Sequence, residues 1–367
     1  MKKVLLSSAV MSLVLVAGSA FALTLEEQMG RHVYMDKDLS LNSTQSCATC
    51  HHRSSGFADP TNSRDPYNTI VSLGDDGVSK GGRNAPTAAY CGYSPILQQN
   101  EDGEWFGGMF WDGRKTGEVL GDPLAEQAQG PPLNPVEMNM PSAGAVVERV
   151  AASQYAHLYV EYFGPEFFAI YGDDDTPDGF LDFKVDYAYE MIARMVAAYE
   201  RSSEVSPFDS KFDNGTLNAQ EQNGAALFKA NCASCHPDVV VGSEPAALFT
   251  NYGYVNIGVP ENPMISDPAD DTDDDLGLGF VKEGEDGKFK VPTLRNIALT
   301  APYTHNGSFA TLRDMVSFIN DRSGFTPDVA ANLSDATGSM GLTEAQIDDI
   351  VAFLNTLNDG GMMRNGR

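Results

Sequence analysis

Four of the five cysteines in this 367-residue chain stand in two equivalent frames, Cys47-Ala48-Thr49-Cys50-His51 and Cys232-Ala233-Ser234-Cys235-His236. A C-x-x-C pair alone could close a disulfide or supply half a zinc site. Neither needs a histidine directly after the second cysteine. Covalent haem attachment does need it: two thiols add across the vinyl groups on one porphyrin edge, and the adjacent imidazole then lies under the ring and ligates iron. The frames predict two c-type haems, one held by Cys47, Cys50 and His51, the other by Cys232, Cys235 and His236. Cys91 stands apart from both. Of the other histidines, His52 follows His51 and is expected at the surface, and His157, in a Tyr/Leu-rich helical stretch, is expected to be structural.

Each frame needs a helical scaffold, and the periodicity supplies one. Ala188, Met191, Ile192, Met195, Val196 and Tyr199 recur at the i, i+3, i+4, i+7 spacing of an amphipathic helix. Residues 202–207, Ser-Ser-Glu-Val-Ser-Pro, read as a linker. Asn218 and Glu221 form a capping pair for a helix with Gly224, Phe228 and Cys232 on one face. Another helix starts near Thr311 with the stripe Leu312, Met315, Val316 and Ile319. The last starts at Thr343, with Gln346 in the capping-box position and Ile347, Ile350, Val351 and Leu354 inward. Strand signals are weak, and long stretches rich in Gly, Pro, Asn and Asp read as loops.

Residues 1–22 have the layout of a secretory leader. Lys2 and Lys3 precede an apolar run from Val4 to Val16, and Ala20-Phe21-Ala22 makes an A-x-A cleavage site. The run is short for a membrane span. The net charge of −27 becomes −29 once the two leader lysines are gone. So acidic a protein repels nucleic acid and anionic lipid. The expected product is exported, to the periplasm or the outer surface of a bacterium, with no membrane span.

Beyond these frames the chain resembles the bacterial di-haem cytochrome c peroxidase and MauG family over nearly all of its mature length. The marks are "SCATCHHRSSGFADP", "RNAPT", "FWDGR", "QAQGPPLNPVEMNM", "LFKANCASCH", "KVPTLRNIALTAPYTHNGSFATL" and "LTEAQIDDIVAFLNTL". The resemblance implies an all-α fold of two cytochrome c-like haem domains with long irregular loops, residues 23–205 for peroxide chemistry and 206–367 for electron transfer. It implies that Glu137 is the distal acid–base over the first haem, with Gln127 and Pro131 beside it. Trp111 would lie between the haems as an electron relay. Asn84, Thr300 and Pro302 would help to hold an inter-haem calcium, which suits oxygen donors.

The chain departs from the family pattern in three places. Family peroxidases carry a histidine on the loop after the first motif; here none occurs between His52 and Trp111, which implies an open first iron at rest. Between Trp111 and Glu137 the chain carries a six-residue excess, at "KTGEVLGDPL". The family's distal ligand to the second haem, Met or Tyr, falls seventeen residues after the "TAPY" proline, and here that position is Ile319. Met315, one turn earlier, His305 and Met264 are the candidate substitutes.

The expected function is reduction of hydrogen peroxide at the first haem, with electrons entering through the second from a small cytochrome c or copper protein. The first alternative is MauG-like oxidation of side chains in a partner protein. A second, non-enzymatic alternative is a plain electron-transfer cytochrome.

Overall fold

The computed structural model describes residues 22–168, 178–265 and 274–363. The leader expected over residues 1–22 lies outside them but for Ala22. Among the described residues no helix is long and apolar enough to cross a membrane.

The chain forms two helical units, each built on a pair of crossed helices. In the first, α1 (Leu25–Met35) crosses α7 (Asp178–Glu200). Between them in sequence come α2 (Cys47–Cys50), α3 (Pro60–Arg64), α4 (Pro123–Ala128), α5 (Ala143–Ala152) and α6 (Ala156–Phe163). In the second, α8 (Ala219–Asn231) crosses α10 (Glu344–Leu354), with α9 (Leu312–Asn320) packed on α10 and the short α11 (Gly360–Met363) after it. Met29, Val33, Tyr34, Val147, Ile192 and Val196 lie in one core, and Phe228, Phe249, Phe318, Ile350, Phe353 and Leu357 in the other.

Both crossings depend on one glycine. A Cβ added at Gly30 of α1 would lie 1.7 Å from the carbonyl oxygen of Met195 and 3.0 Å from Tyr199 Cβ. A Cβ at Gly224 of α8 would lie 1.9 Å from the carbonyl oxygen of Asp349 and 2.9 Å from Phe353 Cβ. Each glycine thus meets a carbonyl and, four residues on, a Cβ of its partner helix.

The capping signals read from sequence form as expected. Asn218 and Glu221 make a reciprocal capping box, as do Thr343 and Gln346, and Thr311 caps α9. The fold is mostly helical, consistent with the expected all-α class, with two minimal strand pairs: β1 (Gln98–Gln99) pairs antiparallel with β2 (Trp105–Phe106), and β3 (Tyr254–Val255) with β4 (Phe289–Lys290). These two-residue strands are too short to produce an alternating pattern. The stretch 202–207 is no loose linker. Ser202, Val205 and Ser206 are buried, and Ser206 Oγ accepts the Tyr90 amide. Its polar composition hides this; of the two buried hydroxyls, Ser206 finds a partner inside the protein and Ser202 has none among the described residues.

The units are also tied by charge. Arg83 donates to Asp275 through Nε and Nη2 and to Asp112 through Nη1, each at 2.6 Å. Gly30→Ala and Gly224→Ala test the crossings. Alanine is the better helix former by about 1 kcal/mol, so propensity alone predicts stabilisation. The clash with backbone predicts a net loss of about 2 kcal/mol for each variant, read as a lower midpoint in denaturant unfolding. A midpoint unchanged or raised would show that the helices can separate freely.

Candidate haem sites

Two cavities sit one on each unit, and each contains one C-x-x-C-H frame. The first, of about 470 Å3, is lined by Cys47, Cys50 and His51. The second, of about 220 Å3, is lined by Cys232, Cys235 and His236. All four thiols are free, so neither pair closes a disulfide. Burial pushes the Cys50 and Cys232 thiols up to about 12.

The histidines are held in one tautomer. His51 Nδ1 lies 3.2 Å from the carbonyl oxygen of Phe57, and His236 Nδ1 lies 2.7 Å from that of Phe249. A carbonyl only accepts, so Nδ1 donates in both, and Nε2 keeps the lone pair a metal would take. Burial also disfavours the imidazolium, holding His236 down to about 4. A half-buried neutral imidazole with a free Nε2, two adjacent free thiols and a largely apolar cavity fit a c-type haem at each frame.

The cavity walls differ. Glu137 lines the first cavity with Gln127 and Pro131. Its backbone is fixed by Glu137 N donating to Asn134 O (3.0 Å) and Asp75 N donating to Glu137 O (2.7 Å). Its carboxylate accepts from Asn134 Nδ2 at 2.6 Å. Burial raises this carboxyl above its ordinary range, against the opposing pull of Asn134 and Arg114. Gln127 comes from α4, whose start is fixed by Asp122 accepting the amides of Leu124 and Ala125. The second cavity is faced by Leu312, Met315, Val316 and Ile319 of the α9 region, by Met340, and by Leu354 of α10.

Trp111 lines both cavities, as do Asn84, Pro86 and Asp275. Its indole donates to Asn84 O at 2.9 Å, and its carbonyl accepts from Lys290 N at 2.9 Å. Thr300 and Pro302 line the second cavity only. His305 is buried there, stacked on Phe289 at 3.5 Å between ring centroids. Met264 is exposed and lines neither cavity. His52 is exposed and paired with Ser54; His157 is exposed and bonded to Gln154 O.

Some residues at these cavities gave no signal in the sequence. Glu200, at the end of α7, is buried against the first cavity, and its Oε2 has no hydrogen-bond partner. Burial raises this carboxyl to about 8. Cys91, beside it, donates its S–H to Thr87 O. Lys290 is half-buried between the units, donating to Gly107 O at 2.7 Å and Ser94 Oγ at 3.1 Å. Burial brings its ammonium down to about 7.

This arrangement defines a c-type cytochrome with two haem-binding units, one of them with a carboxylate facing its haem pocket. Residues 25–222 match the family model for di-haem cytochrome c peroxidase, and residues 221–358 that for cytochrome c. Methylamine utilization protein MauG of Paracoccus denitrificans is 37% identical over 360 residues, covering 90% of this chain and 88% of the relative. Cytochrome c551 peroxidase of Nitrosomonas europaea is 31% identical, covering 90% and 79%. The crystal structure of the diheme peroxidase BthA from Burkholderia thailandensis superposes with a TM-score of 0.76 at 29% identity, covering 93% and 87%. The chain belongs to the di-haem cytochrome c peroxidase and MauG family of oxidoreductases.

The raised carboxyl of Glu200 sets a pH dependence. Its folded value of about 8 lies above the ordinary carboxyl value of 4.5. The stability linked to its proton is complete below the lower value. It falls as pH rises and is lost once pH passes the upper. Glu200→Gln keeps the shape and removes the titration. The variant should match the wild type near pH 5 and be the more stable at pH 9, by about 4 kcal/mol, in denaturant unfolding of the holoprotein. An equal difference at both pH values would show that Glu200 ionises freely in the folded protein.

Proposed function

We propose that the protein is an exported di-haem c-type peroxidase that reduces hydrogen peroxide to water at the first cavity, with electrons supplied through the second by a small cytochrome c or copper protein. The observation that carries this reading is the carboxylate of Glu137 facing the Cys47–Cys50–His51 cavity, while Trp111 borders both cavities. Haems attached at Cys47 and Cys50, with His51 as ligand, and at Cys232 and Cys235, with His236, supply the electron-transfer chemistry. Reduction of peroxide to two waters consumes two electrons and two protons. Glu137 takes a proton from one peroxide oxygen and returns it to the other, so that the departing oxygen leaves as water. Asn134 orients the acceptor oxygen, and Gln127 offers an amide to the bound peroxide. Burial lifts the Glu137 carboxyl toward the range in which it both accepts and gives a proton. Trp111, fixed by Asn84 and Lys290, is the aromatic bridge between the sites.

Likeness to MauG supports a second reading, oxidation of side chains in a partner protein; it uses the same first cavity. Export rests on the leader at residues 1–22. The division at residue 205 follows the two helical units. Calcium between the units is proposed on Asn84, Thr300 and Pro302. Asn84 Nδ2 is committed to Ile70 O at 2.8 Å, which presents Oδ1 as the ligand atom.

Glu137→Gln removes the proton acceptor and keeps the shape. Peroxide turnover should fall at least about 100-fold, while the mass of the denatured protein still shows two haem additions. Undiminished turnover would remove Glu137 from the chemistry. Chelation of calcium should slow turnover and shift the haem absorption, and added calcium should reverse both. A metal-free preparation with full activity would exclude a working calcium.

A further inference from the structure

Helix α9 carries its apolar stripe into the second cavity, and that stripe ends at Ile319, which has no atom to give a metal. The loop that follows returns to this same place. Gly338 N donates to Ile319 O at 2.6 Å, and Met340 N donates to Asn320 O at 2.9 Å. Leu342 N donates to Asn320 Oδ1 at 2.8 Å. Inside the loop, Arg322 braces it by donating to Thr337 Oγ1 and Ser334 O, each at 2.9 Å. The last carbonyls of a helix lack partners within the helix, and the loop amides supply them. Helix end and loop therefore fix one another, and Met340 stands beside Ile319 on the cavity that contains His236.

We propose that Met340, from the loop between α9 and α10, is the distal ligand to the second haem iron; this rests on the di-haem reading above. Three observations select it. Met340 lines the cavity and is partly buried. Its backbone is clamped to the residue that follows Ile319, which brings this methionine to the end of the helix where the stripe has only an aliphatic side chain. Met315 lines the same cavity but lies four residues before Ile319, about 6 Å back along the helix axis. His305 is stacked on Phe289 and its buried Nε2 has no hydrogen-bond partner among the described residues, so it is the rival that the test must separate. A thioether ligand raises the potential of a haem, which suits the site where electrons enter.

The test compares Met340→Leu, Met315→Leu and Met340→His in the holoprotein. The readouts are electron paramagnetic resonance of the resting ferric state, the thioether-to-iron absorption band and the midpoint potential of the second haem. Met340→Leu should turn a low-spin second haem high-spin, abolish the band and lower the potential. Met315→Leu should leave all three unchanged. Met340→His should restore a low-spin signal with a lower potential than the wild type, which a residue that merely supports the loop would not do. A low-spin signal and band that survive Met340→Leu overturn the proposal. If Met315→Leu then removes them, the ligand is Met315; if a low-spin signal survives both, it is His305. A wild-type protein whose second haem is high-spin also overturns it. Failure of the di-haem reading is visible separately, as fewer than two haem additions in the mass of the denatured wild type.

Discussion

Everything at the two cavities depends on how the imidazoles of His51 and His236 are held. Each donates Nδ1–H to a backbone carbonyl, of Phe57 and of Phe249. That bond sets the tautomer, turns the ring and leaves Nε2 free. It also sets how far the chain must travel before turning back, six residues from His51 and thirteen from His236. The helix crossing of each unit then has one task, to hold the cysteines and the returning carbonyl in a fixed relation.

On this shared base the units diverge through their walls. The first cavity has carboxylates in low-dielectric surroundings, Glu137 with an amide partner and Glu200 with an unpartnered oxygen. Burial of such groups favours their neutral forms and makes them proton carriers rather than fixed charges. Among the described residues, the second cavity has no glutamate in its wall; the aliphatic and thioether side chains of α9 and the loop after it stand there beside polar groups such as Asp275 and His305. Trp111 borders both, with its indole and its carbonyl each anchored, so the spacing between the cavities is set by hydrogen bonds as well as by packing.

What was legible in the sequence was local. The haem frames span five residues, and the capping boxes at Asn218 and Thr343 span four. The stripes of α7, α9 and α10 appear within a few turns. Glu137 was legible only because the resemblance marked it; alone, a glutamate between prolines and methionines reads as surface. What stayed hidden depends on residues far apart in the chain. Glu200 sits next to the apolar stripe of α7 and reads as its solvent edge until other elements close over it. Lys290 reads as exposed until Gly107 and Ser94 supply its acceptors. Gly30 gives no sign that the Met195 carbonyl lies against it. The fold of the loop after α9 follows from its bonds to Ile319 and Asn320, which no periodicity announces.

The paired glycine crossings have a consequence for how such a chain can change over generations. Gly30 with Met195 and Tyr199, and Gly224 with Asp349 and Phe353, are the same joint made twice. The joint lies away from the residues that distinguish the two cavities, which stand largely on loops or at helix ends. A lineage that inherits a duplicated joint can lengthen or rewrite those loops without disturbing the step that folds each half. The stretch before Glu137 and the long return after α9 are loops of this kind. Divergence between copies, and between descendants that act on peroxide and those that act on another protein, would then accumulate in the loops while the joints stay under purifying selection.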